Sequence, residues 1–161
     1  MQRLGEKMQQ HTDAWMERVL VMISTLRGQG GALLALPDYR PDLAKAIAHK
    51  VGVRFYDFRA EAMAQQGDRA GAMSLVELDA VLGELAAEGG AVVFNVEALL
   101  STKSSEKRGA CMEGFVGRDW QGLLLVPLTL YGHEAAAVTE HVLRLEAEDL
   151  PAQGLLSRLV N

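Results

Sequence analysis

The sequence predicts an α/β protein, a three-layer αβα sandwich around a mostly parallel sheet of about five strands, with an N-terminal helix added. Two observations predict it. Segments of strand character alternate along the chain with segments of helical periodicity, and the strands within "EGGAVVFNV" and "GLLLVPLTLYG" are continuously apolar where a half-exposed strand would alternate. Strands of that kind are covered on both faces, which a parallel sheet achieves by laying its crossover helices on either side.

The elements follow in order. Trp15, Val19, Met22, Ile23 and Leu26 recur at helical spacing, and Gly28, Gly30 and Gly31 end that helix before the strand "ALLAL". Leu43, Ala44, Ile47 and Val51 form one face of a second helix, with Pro41 suited to its first turn and Gly52 to its end. "VRFYDF" is the second strand. A polar, glycine-spotted passage from Ala60 to Ala72 reads as irregular. Ser74 and Glu77 then form a capping box in front of Leu75, Leu78, Leu82 and Leu85. The third strand leads into a polar loop, "STKSSEKR", and a short helix is expected over Gly109 to Val116. After the fourth strand come a helical turn in "HEAAAVTE", a short edge strand "HVLRLE" and an amphipathic end, "GLLSRLVN".

Composition bounds the function. The chain has 161 residues, 49% of them hydrophobic and 23% charged, enough for one sizeable core. The expected division is an N-terminal helix over 1–30 and a single α/β domain over 31–161. No apolar run is long enough to span a bilayer, and the first residues lack the layout of a signal peptide, so a cytoplasmic protein is expected, with no membrane partner. Cys111 is the only cysteine, which excludes an internal disulfide and a cysteine-cluster metal site. A formal net charge of −5 disfavours a protein devoted to nucleic acid, although a local basic face is compatible with it.

In open parallel sheets the functional crevice lies at the carboxyl ends of the strands. The loops after Leu36, Phe58, Phe94 and Leu128 are therefore the places to search.

The order strand, loop, helix, "VRFYDF", capped helix, "AVVFNVEALL", "LLLVPLTLYG" and "TEHVLRLE" resembles the core of P-loop NTPases of the RecA and AAA type, over about residues 31 to 146. In size and plan it is similar to the small P-loop proteins of BREX-type phage-defence operons. The resemblance implies a phosphate loop after the first strand, a magnesium-holding carboxylate after the third and a polar sensor residue near the end of the fourth. A phosphate loop of this kind needs glycines, a lysine and a hydroxyl residue. Counting back from Gly52, Arg40 stands at the lysine position and Pro41 at the hydroxyl position, while Pro37, Asp38 and Tyr39 stand where glycines belong. The two prolines remove N–H donors from the cradle, and Asp38 brings negative charge to it. At the magnesium position stands Phe94 or Asn95, depending on register, with Glu97 as a displaced carboxylate or a surface glutamate. Thr129 takes the sensor position.

Other constellations carry less. His11, His49, His133 and His141 have no metal-ligand spacing, so no metal is expected. His133 and Glu134 make a candidate acid–base pair after the fourth strand, or simply the first turn of a helix. Asp57 ends the second strand, where it either faces a ligand, caps the next segment or pairs with Arg54 or Arg59. Cys111 lacks an adjacent base. Lys103, Lys107 and Arg108 form a basic cluster which, if it converges with Arg40, offers contacts to an anion or a nucleic-acid backbone.

The sequence thus favours a non-catalytic, pseudo-NTPase domain with no cofactor that assembles with itself or a protein partner, in a multi-protein system related to DNA or phage defence. A divergent nucleotide-binding protein or weak ATPase using ATP and magnesium through Arg40 and Glu97 is the first alternative. A nucleic-acid-binding accessory subunit is the second.

Overall fold

Five strands form one sheet in which every pairing is parallel. They are β1 (Gly30–Ala35), β2 (Arg54–Asp57), β3 (Ala91–Phe94), β4 (Leu123–Leu128) and β5 (Val142–Arg144), in the spatial order β2-β3-β4-β1-β5. The computed structural model describes residues 2–27, 29–135 and 141–152, the first twelve of these through their backbone alone. The helices are α1 (Gln2–Thr25), α2 (Pro41–Val51), α3 (Leu75–Ala87), α4 (Glu97–Leu100), α5 (Ser105–Gly117) and α6 (Gly132–Ala135).

Side chains alternate across a strand, so each strand feeds two cores. On one face Ala32, Leu34 and Leu36 join Val92, Phe94, Leu123 and Leu125 under Leu43 and Ile47 of α2 and under Trp15 and Val19 of α1. On the other, Leu33, Val93, Leu124 and Val126 meet Leu78, Leu82 and Leu85 of α3 and Met112 and Phe115 of α5. This is the three-layer sandwich that the apolar strands imply. Gly31 admits the Phe115 ring: a Cβ there would lie 2.8 Å from the ring edge.

Local signals explain the helix ends. Pro41 opens α2, and Gly52 closes it in the left-handed conformation, with φ 80°. Ser74 accepts a hydrogen bond from the N–H of Glu77, whose carboxylate accepts from the N–H of Ser74, completing the capping box of α3.

Two expectations need correction. The passage from Ala60 to Ala72 is not irregular: a π-helical turn over Arg59–Met63 runs into 3-10 turns over Ala64–Ala72, broken at Gly67. Burial of Phe58, Ala62 and Met63 holds it against the core despite its polar surface. The loop "STKSSEKR" is half helix, because Ser104 caps α5 by accepting from the N–H of Lys107. Gly109 and Gly114 lie inside α5 at a cost of about 1 kcal/mol each relative to alanine, and packing of Met112 and Phe115 outweighs that propensity. The helical turn after β4 is α6, and β5 is an edge strand as expected; "GLLSRLVN" lies outside the described residues.

Candidate functional site

The chain leaves β1 for α2 on one face of the sheet and leaves β4 for α6 on the other, while β1 and β4 are neighbours. The connections diverge there, so the carboxyl edge of β1 and β4 is the place where an open α/β sheet forms its crevice.

Arg40 lies in the loop between β1 and α2 and is only 9% exposed. Its Nε and Nη2 donate to the two carboxylate oxygens of Asp42 at 3.0 and 2.8 Å, and Nη1 donates to the carbonyl of Pro151 at 2.9 Å. The guanidinium fork is therefore filled from within the chain. It ties the start of α2 to the segment after β5. Tyr39, next to it, packs on Phe94 with ring centroids 5.2 Å apart, yet remains 55% exposed.

Asn95 follows β3 in the left-handed conformation, with φ 63°, and its amide donates to Asp57 at 3.0 Å. The same Asp57 oxygen accepts from the N–H of Ala60, so Asp57 caps the turn that follows it. Arg54 pairs with Glu61 and Glu88 instead.

Glu97 is the first residue of α4, and it reaches across to the loop after β4. Its two oxygens accept from the N–H groups of Thr129 at 2.5 Å and Tyr131 at 2.7 Å. The Thr129 hydroxyl donates to the carbonyl of Asp38 at 3.4 Å, beyond the usual range for such a bond. Asp38, Glu97 and Thr129, which the family resemblance assigns to three separate motifs, thus meet at one place on the sheet edge. Their contacts are with each other's backbones. The clamp made by Glu97 carries no sequence signal, since its partners are 32 and 34 residues away.

Two of the three residues of the basic cluster are also engaged within the chain. Lys103 donates through Nζ to the carbonyl of Met73. Arg108 forks onto Glu134 at 2.9 and 2.8 Å, donates to the carbonyl of Lys103 at 2.6 Å, and lies 4.2 Å from the ring centroid of Tyr131. The hydrogen bond from Arg108 holds the Glu134 carboxyl below the usual carboxylate range and raises the guanidinium in turn. His133 and Glu134 therefore do not form a pair of their own: Arg108 takes the carboxylate and His133 stays exposed. Lys107 remains exposed on α5.

Burial, reinforced by Asp79, pushes the Cys111 thiol up to about 11, the reverse of what a nucleophilic thiolate needs. Among the described residues no group of His, Cys, Asp and Glu is arranged to hold a metal ion, and no helix is long and apolar enough to cross a membrane.

A second feature lies at the edge strand β5. Between it and α1 runs a groove of about 670 Å³, bordered by Ala14, Val21, Met22, Leu26, Val142 and Leu143. Val21 is 66% exposed. Arg18 fastens α1 beside it by donating to Asp149 and to the carbonyl of Arg144. Comparison with family models, curated proteins and solved structures finds no match to this chain.

Proposed function

We propose that this chain is a non-catalytic, RecA/AAA-like domain that retains its fold for assembly, either with a second copy or with a protein partner. The observation that carries the reading is the fate of Arg40 and Glu97. The cation and the carboxylate on which a divergent ATPase would rely are both bound inside the chain, Arg40 to Asp42 and Pro151, Glu97 to two backbone N–H groups. A phosphate or a hydrated magnesium ion would have to displace those contacts. The meeting of Asp38, Glu97 and Thr129 at one edge supports the resemblance, and their backbone contacts support a structural use of it.

The groove beside β5 supports the assembly half of the reading. An edge strand offers unpaired backbone groups, and the flanking helix adds an apolar wall with Val21 on its rim. Trp15 and Val19 are buried, so removing α1 would open the core as well as the groove. A point change on the rim is the cleaner probe.

The test combines sedimentation of the full chain at tens of micromolar with thermal unfolding in the presence and absence of ATP and magnesium. A mass above 17.5 kDa, or a complex captured with a partner, that Val21→Glu abolishes is the expected outcome. A nucleotide-dependent rise in melting temperature that disappears in Arg40→Ala, judged against that variant's own baseline, overturns the reading in favour of a working phosphate site.

A further inference from the structure

Above the carboxyl ends of β1, β4 and β5 lies a polar crevice of about 190 Å³ that none of the contacts described so far fills. Leu36 and Pro37 border it on the β1 side. Thr129, Gly132 and His133 border it after β4, and Arg144 and Glu146 border it from β5 onward.

Its charged groups differ from those over β3. Arg144 donates from Nη2 to the carbonyl of Gly132 at 3.2 Å and, among the described residues, forms no ion pair with a carboxylate. That single bond ties the guanidinium to Gly132, another residue of the crevice, and leaves most of its donors available. His133 is exposed on the opposite wall. Glu146 stands two residues beyond Arg144 at the start of the 3-10 turn Ala147–Asp149: its N–H donates to the Asp149 carboxylate, its carbonyl accepts from the N–H of Asp149, and the residue is exposed. Residues bearing a cation, an imidazole and a carboxylate therefore border one small space beside the switch between β1 and β4.

We propose that this crevice binds a small anionic metabolite carrying a carboxylate or phosphate group together with a hydrogen-bond donor. Arg144 and His133 take the anionic group, and Glu146 takes the ammonium or hydroxyl. The size selects the class: the space equals about six waters at liquid density and falls below the range of roughly 300 to 1,000 Å³ that larger ligands occupy. A plain anion would leave the Glu146 carboxylate without a counter-group, which is why a donor on the same molecule is part of the assignment. Arg40 and Glu97 do not border the crevice, although Glu97 fixes the backbone of Thr129 on its wall.

The test is titration of the full chain with sodium phosphate, sodium acetate, O-phosphoserine and alanine at constant ionic strength, followed by amide chemical shifts. O-phosphoserine and alanine carry an ammonium with a phosphate or only a carboxylate, so the four arms separate the two anion sources and the need for a donor. The expected result is saturable binding of O-phosphoserine or alanine, tighter than of phosphate or acetate, with shifts confined to residues 35–36, 129–133 and 144–146. Arg144→Ala weakens it at least tenfold, Glu146→Gln removes the preference over the plain anions, and Arg118→Ala, remote from the crevice, leaves it unchanged. Absence of saturation in all four arms, shifts centred elsewhere, or equal binding by Arg144→Ala overturns the proposal.

Discussion

Beyond β3 and β4, the carboxylate of Glu97 and the guanidinium of Arg108 are each held by groups of the same chain; between the ends of β4 and β5, His133 and Arg144 border a crevice. The difference teaches that charge at the ligand-binding edge of a parallel sheet serves two separate ends. A carboxylate that accepts two backbone N–H groups acts as a rivet between loops, and a guanidinium with one carbonyl partner stays open to a ligand. Residue type alone does not distinguish them. Partners do.

The first way to break the comparison is at the rivet. Glu97→Ala leaves the N–H groups of Thr129 and Tyr131 without their acceptor, and two charge-assisted hydrogen bonds of this kind predict a loss of about 3 kcal/mol. Glu97→Gln keeps one acceptor oxygen and should lose roughly half as much. Urea unfolding monitored by Trp15 and Trp120 fluorescence measures both. A wild-type midpoint for Glu97→Ala would show that the loops after β3 and β4 hold without the clamp, and would return Glu97 to the list of groups free for chemistry.

Arg40 comes next. Arg40→Ala removes the fork from Asp42 and the donor to Pro151, and the pair is partly accessible to water, so the expected cost is about 2 kcal/mol, below that of breaking a fully buried pair. Arg40→Lys keeps the charge and loses the planar fork, and should recover less than half of that. The same denaturation series, without nucleotide, reads the effect. Unchanged stability in Arg40→Ala would mean that the buried guanidinium is held for a ligand at no benefit to the fold.

Much of this architecture is legible in the sequence because it rests on neighbours. The capping box of Ser74 and Glu77, Pro41 at the start of α2, Gly52 at its end and the apolar run of β4 all act within a few residues. The helical turns after Phe58 are hidden because their stability comes from buried Phe58, Ala62 and Met63 packing on a distant sheet, while their visible residues are polar. The crest is least legible. Which side chain meets Glu97 depends on β4 lying between β3 and β1, a fact of strand order that spacing does not encode. Arg40 reads as a candidate phosphate ligand because its carbonyl partner, Pro151, lies 111 residues away; its carboxylate partner, Asp42, is only two residues on and is a signal within reach of the sequence.

The smallest expected effect sharpens the contrast most. Arg144→Ala removes an exposed guanidinium with one long hydrogen bond to Gly132 and no carboxylate partner among the described residues, so unfolding free energy should change by no more than about 0.5 kcal/mol. The carbonyl of Arg144 that accepts from Arg18 is backbone and survives the substitution. Two arginines at the same edge of the sheet then separate by a single experiment: Arg40→Ala destabilises and Arg144→Ala does not. A loss at Arg144 equal to that at Arg40 would place it among the internal fastenings and erase the distinction between the two halves of the edge. A neutral Arg144→Ala shows that this guanidinium is not an internal fastening, so its loss in the titration would report binding and not a weakened fold.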